Sequence, residues 1–95
     1  MISFIWDEQK DTLNQQKHGV SFHEARTVFF DEYARLIDDP DNSDFEERFI
    51  MLGYSERCRL LLVCHCYREN DLNIRIISAR KATRREKNNY GRYLK

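Results

Sequence analysis

Glycine, proline and cysteine are all scarce: three, one and three residues in a chain of 95. Gly19, Gly53 and Gly91 stand far apart, so no Gly-rich loop is present to cradle a nucleotide phosphate, and neither HExxH nor CxxC occurs. Serine-nucleophile signatures are absent too. Cys58, Cys64 and Cys66 are odd in number, which argues against a disulfide framework. The triplet CHC at 64–66 lies within the apolar run LLLVCHCY. On a strand, Cys64 and Cys66 point to one face and His65 to the other, so the three cannot close on one ion. Neither metal nor cofactor is expected, and the cysteines read as buried thiols. No apolar run reaches the roughly 18 residues needed to cross a membrane. MISFIWDEQK lacks a basic leader followed by an apolar stretch. A single soluble, cytoplasmic domain over 1–95 is the expectation.

Charge of one sign is also missing overall, with 16 Lys/Arg against 16 Asp/Glu. That balance conceals a split. Residues 1–47 hold twelve acidic and four basic side chains, net −8, and residues 48–95 the reverse, net +8. Either the halves pair with each other, or one face suits a polyanion and another a basic partner protein. The densest stretch is RIISARKATRREK at 75–87, which carries Arg75, Arg80, Lys81, Arg84, Arg85 and Lys87.

What is present folds readily into elements. After the short apolar stretch Phe4–Trp6, Asp7 is placed to cap a helix running to about His18, with Gly19 just beyond it. This helix is nearly all polar, Leu13 being its large apolar residue, so it is expected to lie along a flank. Lys10, Asn14 and Lys17 share a face that is either a solvated stripe or a functional one. SFHE at 21–24 forms a capping box before a core helix with Phe22, Ala25, Val28 and Phe29 inward. EYARLID supplies a short strand, DDPDNSD at 38–44 a turn, and three strands follow at 46–54, 59–67 and 74–80. The middle one is apolar on both faces and should be central. TRRE at 83–86 is a second capping box, opening a last helix. The order β-α-α-β-β-β-β-α, with short turns between the late strands, defines an α+β domain with a mainly antiparallel sheet flanked by helices.

The chemically equipped side chains are Arg, Lys, Glu, His and Tyr on or beside that sheet. Metal-free RNA cleavage needs a base for the 2′-OH proton, cations for the pentacoordinate phosphate and an acid for the leaving 5′ oxygen. This set could supply all three, but it would equally serve a nucleic-acid-binding surface or a protein-interaction module. The segments WDEQKDTLNQQKHGVSFHEA, FEERFIMLGYS and RIISARKATRREKNNY, in order and spanning nearly the whole chain, resemble the BrnT family of bacterial type II toxins. The resemblance implies a compact RelE-like fold and a ribonuclease that blocks translation and arrests growth. It also implies a neutralising antitoxin, BrnA, a ribbon-helix-helix protein that binds DNA. Toxin and antitoxin typically form a dimer of heterodimers that represses its own operon.

The motif does not assign roles, so physical chemistry must. Arg80, at the rim of the last strand, is the first candidate to clamp phosphate, against an ion pair with Glu47 or Glu86. Glu47 is the candidate general base and Arg48 a second phosphate contact. Lys81 could reach the RNA backbone, and Tyr90 could supply a hydroxyl or a stacking ring, against simply packing its helix on the sheet. Lys10, Lys17, His18, Arg75, Arg84 and Arg85 are candidate substrate contacts, with His18 also able to act as an acid or to cap the last carbonyls of its helix. Strict alternation places Arg75 on the face opposite Arg80, where a carboxylate partner is the alternative. Asn42 stands where family members often carry His, so a catalytically weak relative that only binds its antitoxin is the competing expectation.

Overall fold

Each helix starts where the sequence places a capping side chain. In the computed structural model, which describes residues 2–38, 47–68 and 72–91, Asp7 Oδ1 accepts from the amides of Gln9 and Lys10 at 2.8 and 3.3 Å. That fixes the start of α1 (Glu8–His18). Gly19 ends it in the left-handed region at φ 69°, its N–H donating to the Gln15 carbonyl. Ser21 Oγ accepts from Glu24 N at 3.1 Å and starts α2 (Phe22–Thr27), which tightens into a 3₁₀ turn at Val28–Phe30. Only this half of the first capping box forms, because the Glu24 carboxylate turns instead to Ser55 and Arg59. Thr83 and Glu86 make both halves of the second box at 3.2 and 2.8 Å and open α3 (Arg84–Gly91).

The strands are β1 (Ser3–Ile5), β2 (Arg35–Asp38), β3 (Phe49–Tyr54), β4 (Leu60–Arg68) and β5 (Asn73–Lys81). They form one sheet in the order β1-β5-β4-β3-β2, with β4 in the centre as its two-sided apolar pattern required. Strands β2 to β5 pair antiparallel, and β1 joins β5 in parallel. One face is the main core. There Val20, Phe22, Ala25 and Val28 pack on Leu61, Val63, Ile76 and Ala79. Burying a side chain such as Phe22 or Leu61 completely contributes roughly 2–3 kcal/mol each. The opposite face is covered at one end only, where Tyr90 of α3 packs on Leu52, Leu60 and Leu62. Tyr90 is pinned there by its hydroxyl, which donates to Asp31 Oδ2 at 2.7 Å, the same oxygen that accepts from Tyr54 N at 2.8 Å. Asp31 can lie that close because Gly53 has no Cβ. One added there would come within 3.0 Å of Ala34 Cβ and Val28 Cγ1.

Two expectations are corrected by nonlocal pairing. First, the polar face of α1 is not a uniform stripe: Asn14 is buried, Lys10 and Lys17 are exposed, and Leu13 is 62% exposed. The helix docks through amide and carboxylate. Asn14 Nδ2 donates to the Val20 and Ala79 carbonyls at 2.9 Å each, and its Oδ1 accepts from Ala79 N at 3.2 Å. The side chain thus acts as a one-residue strand on the part of β5 that β1 does not reach. Asp11 Oδ1 likewise takes the Phe22 amide at 2.9 Å. Second, Cys64 pairs with Ser78 but His65 pairs with Ile76, so Ile77 is an extra residue, a β-bulge. The bulge resets the alternation, and Arg75 lies on the same face as Arg80. The expected turn at 38–44 lies largely outside the described residues, as does Asn42.

Candidate active site on the open sheet face

Residues directly paired across strands share a face. Applied to the partly uncovered face, that rule gives rows running across the sheet. The first row is Arg35, Leu52, Leu62 and Arg80, and the next is Ile37, Ile50, Cys64 and Ser78. Beyond them Cys66 lies beside Arg75, which is itself beside Ile5. Arginines therefore bracket an apolar floor.

A cleft of about 300 Å³ opens on this floor at the β5 side. His18, Arg48, Cys64, Ser78 and Arg80 surround it, with Ile50 and Leu62 at the base. His18 is half-buried at the last turn of α1, held against β5 by the Asn14 bonds four residues earlier. Arg48 reaches the cleft from just ahead of β3. Arg80 enters from β5 in a fixed pose. Its Nη1 and Nη2 donate to Glu86 Oε1 and Oε2 at 2.8 Å each, a bidentate fork, and Nη1 also reaches the Lys81 carbonyl at 3.3 Å. Glu86 is in turn oriented by the Thr83 amide. The Arg80 hydrogen bond holds the Glu86 carboxyl down at about 2, against the opposing effect of burial. The Arg80 side chain remains 42% exposed and lines the cleft while Glu86 holds its fork.

The other sequence candidates are distributed differently. Glu47 is exposed and adjoins Arg48 along the chain, outside the lining of the cleft. Lys81 pairs with Leu61 and so projects to the helical side, exposed at the strand end. Arg84 and Arg85 are exposed on the first turn of α3, and Lys10 and Lys17 along α1. Arg75 joins Arg68, Ile5, Trp6 and Asp7 around a separate, shallower depression on the same sheet face. Tyr90 is buried with its hydroxyl committed to Asp31; burial first, then that bond, pushes the phenol well above its ordinary value. Of the cysteines expected as buried thiols, Cys66 is buried, Cys64 is half-buried at the cleft wall and Cys58 is exposed in the turn before β4. Arg35, Arg68 and Asn89 were not singled out from the sequence. Only strand register could place the two arginines on this face, and their isolation in the chain leaves no motif to flag them.

Among the described residues, no group of three His, Cys, Asp or Glu side chains converges as a metal site, and no helix is long and apolar enough to cross a membrane. The whole is a small α+β domain, with α1 and α2 on one sheet face and an arginine-lined cleft beside α3 on the other. The family model for the ribonuclease toxin BrnT of type II toxin–antitoxin systems matches residues 6–86, and the chain belongs to the BrnT family. By that membership it is a ribonuclease toxin of a type II system. It is similar in fold to the crystal structure of the Brucella abortus ribonuclease toxin, BrnT. The TM-score is 0.66 at 23% identity, covering 88% of this chain and 100% of that one. The comparison with curated proteins gave no match.

Proposed function

We propose that this toxin is a metal-independent endoribonuclease whose chemistry runs in the cleft between His18, Arg48 and Arg80. The observation that carries the proposal is the convergence of two guanidiniums and one imidazole on an otherwise apolar floor. An imidazole can both take and give a proton. His18 takes the proton from a ribose 2′-OH, and the freed oxygen attacks the adjacent phosphorus. Arg48 and Arg80 hold the charge of the pentacoordinate phosphate, Arg80 with the geometry that Glu86 imposes. The bond from phosphorus to the 5′ oxygen breaks, and that oxygen leaves with a proton from the imidazolium or from water. The products are a 2′,3′-cyclic phosphate and a 5′-OH end. Glu86 is the positioning residue in this scheme, Tyr90 packs α3 on the sheet, and Glu47 is the competing base. Lys10, Lys17, Arg75, Arg84 and Arg85, outside the lining of this cleft, are the proposed contacts to the RNA backbone.

Cleavage of RNA needed for translation would arrest growth. A BrnA-type ribbon-helix-helix antitoxin would neutralise the enzyme in the cytoplasm, as a dimer of heterodimers touching DNA only through the antitoxin. The test is RNA cleavage by the purified protein in EDTA, beside Arg80→Ala, Arg48→Ala, His18→Ala and Glu47→Ala. Cleavage that survives EDTA and falls at least about a hundredfold in the Arg80, Arg48 and His18 variants is the expected result. Loss with Glu47→Ala but not His18→Ala would move the base to Glu47. Intact RNA from folded wild-type protein would leave the antitoxin-binding relative as the better account.

A further inference from the structure

Beside the cleft, and sharing its Leu62 floor, a second cleft of about 370 Å³ opens between α3 and the β2–β3 end of the sheet. It is lined by Arg35, Ile37, Leu52, Leu62, Glu86 and Asn89. The Arg80–Glu86 pair is the wall between the two. The row Arg35, Leu52, Leu62 and Arg80 crosses both, so the Cα atoms of the two arginines stand three strand spacings apart, roughly 14 Å, with leucines between. Above that floor the exposed Asn89 brings an amide with two donors and one acceptor oxygen.

We infer that this second cleft is the nucleobase subsite of the ribonuclease, receiving the base next to the phosphate held at Arg48 and Arg80, with Asn89 setting which base is preferred. The inference rests on the ribonuclease proposal above. A flat apolar floor suits the face of an unpaired base. A guanidinium at the far end suits stacking or a neighbouring phosphate, and a side-chain amide suits reading of a base edge. Sequence-selective RNA recognition works on unpaired bases in this manner, and a bidentate amide contact discriminates between bases by roughly tenfold or more. Glu86 then has two functions: it braces Arg80 on one side and bounds the base on the other. The wall ties the identity of the base to the position of the scissile phosphate.

The test has two arms. The first measures binding of the complete set of 2′-O-methyl dinucleotides, which cannot be cleaved, to wild type, Asn89→Ala and Asn89→Asp. Asn89 is exposed, so both variants are expected to fold. Wild type should prefer one base at one position, Asn89→Ala should flatten that preference by roughly tenfold, and Asn89→Asp should shift it toward a base offering donors. The second arm maps cleavage sites on a mixed RNA. Asn89→Ala should relax the preference at one position beside the cut. An unchanged preference in both arms, with cleavage intact, overturns the base subsite and leaves the ribonuclease standing. Dinucleotide preference without any cleavage by wild type would instead sink the enzymatic proposal. Loss of antitoxin binding in Asn89→Ala, with base preference unmoved, would assign the cleft to the partner protein.

Discussion

The His65 imidazole has no exposed surface and is ringed by Phe29, Phe49 and Tyr67. Its Nδ1 donates to the Val63 carbonyl at 3.0 Å, which leaves Nε2 to accept from the Tyr67 hydroxyl at 3.3 Å. Burial lowers its pKa below the ordinary 6.5, outweighing the Val63 bond. The folded chain therefore refuses a proton that the unfolded chain accepts. Stability from this group is complete above about 6.5 and falls as pH drops below it, because the unfolded state binds more protons there. Urea unfolding at about pH 7.5 and about pH 5.5 should show this loss in wild type and a smaller one in His65→Phe. The opposite kind of residue is Tyr90. Tyr90→Phe removes its donation to Asp31 and should cost about 1–2 kcal/mol by chemical denaturation. Because that hydroxyl holds α3 in place and does not face the proposed chemistry, cleavage per folded molecule should hardly change.

Helix α1 inverts the usual arrangement, exposing its leucine and burying an aspartate and an asparagine. Leu13→Asn should change stability by less than about 0.5 kcal/mol. Asn14→Leu should cost about 3 kcal/mol or more, since it leaves the Ala79 amide and the Val20 and Ala79 carbonyls without their partner. Paired urea melts of the two variants check the ranking, and equal losses would contradict it. Hydropathy predicts the reverse order, and the reason lies largely 65 residues away: two of the three groups that Asn14 satisfies belong to Ala79 of β5. Caps and strand positions were legible because their causes are local. Asp7, Ser21, Thr83 and Gly19 act within four residues of themselves, and the two-sided apolarity of β4 marks a central strand wherever it occurs. The face of Arg75 was not legible, because a bulge at Ile77 is decided by what lies across the ladder. Glu86 as partner of Arg80 was legible as one alternative of two, and register alone brought Arg35 into the site.

Across the whole molecule, Arg35, Arg48, Arg68, Arg75 and Arg80 gather along the open side of the sheet, while the helical side carries the main core. If RNA follows this track, binding should weaken with salt by a slope of about 0.7 per phosphate engaged. Arg48→Ala and Arg75→Ala should each reduce the slope of log K against log salt by about that amount. Arg57→Ala, on a side chain paired with Glu24 on the helical side at 3.8 Å, should leave it unchanged. Titration of a single-stranded RNA at several salt concentrations measures all three. The continuity of the track depends on the parity of one strand. With Ile77 present, an odd step separates Arg75 from Arg80 and both guanidiniums look outward. Without the bulge, the same odd step of five would turn one of them into the apolar core, whereas deleting Ile77 itself would leave a regular step of four and keep both outward. The strand can therefore lose that one codon in frame and keep its arginine track, because the surplus residue is already set aside from the ladder.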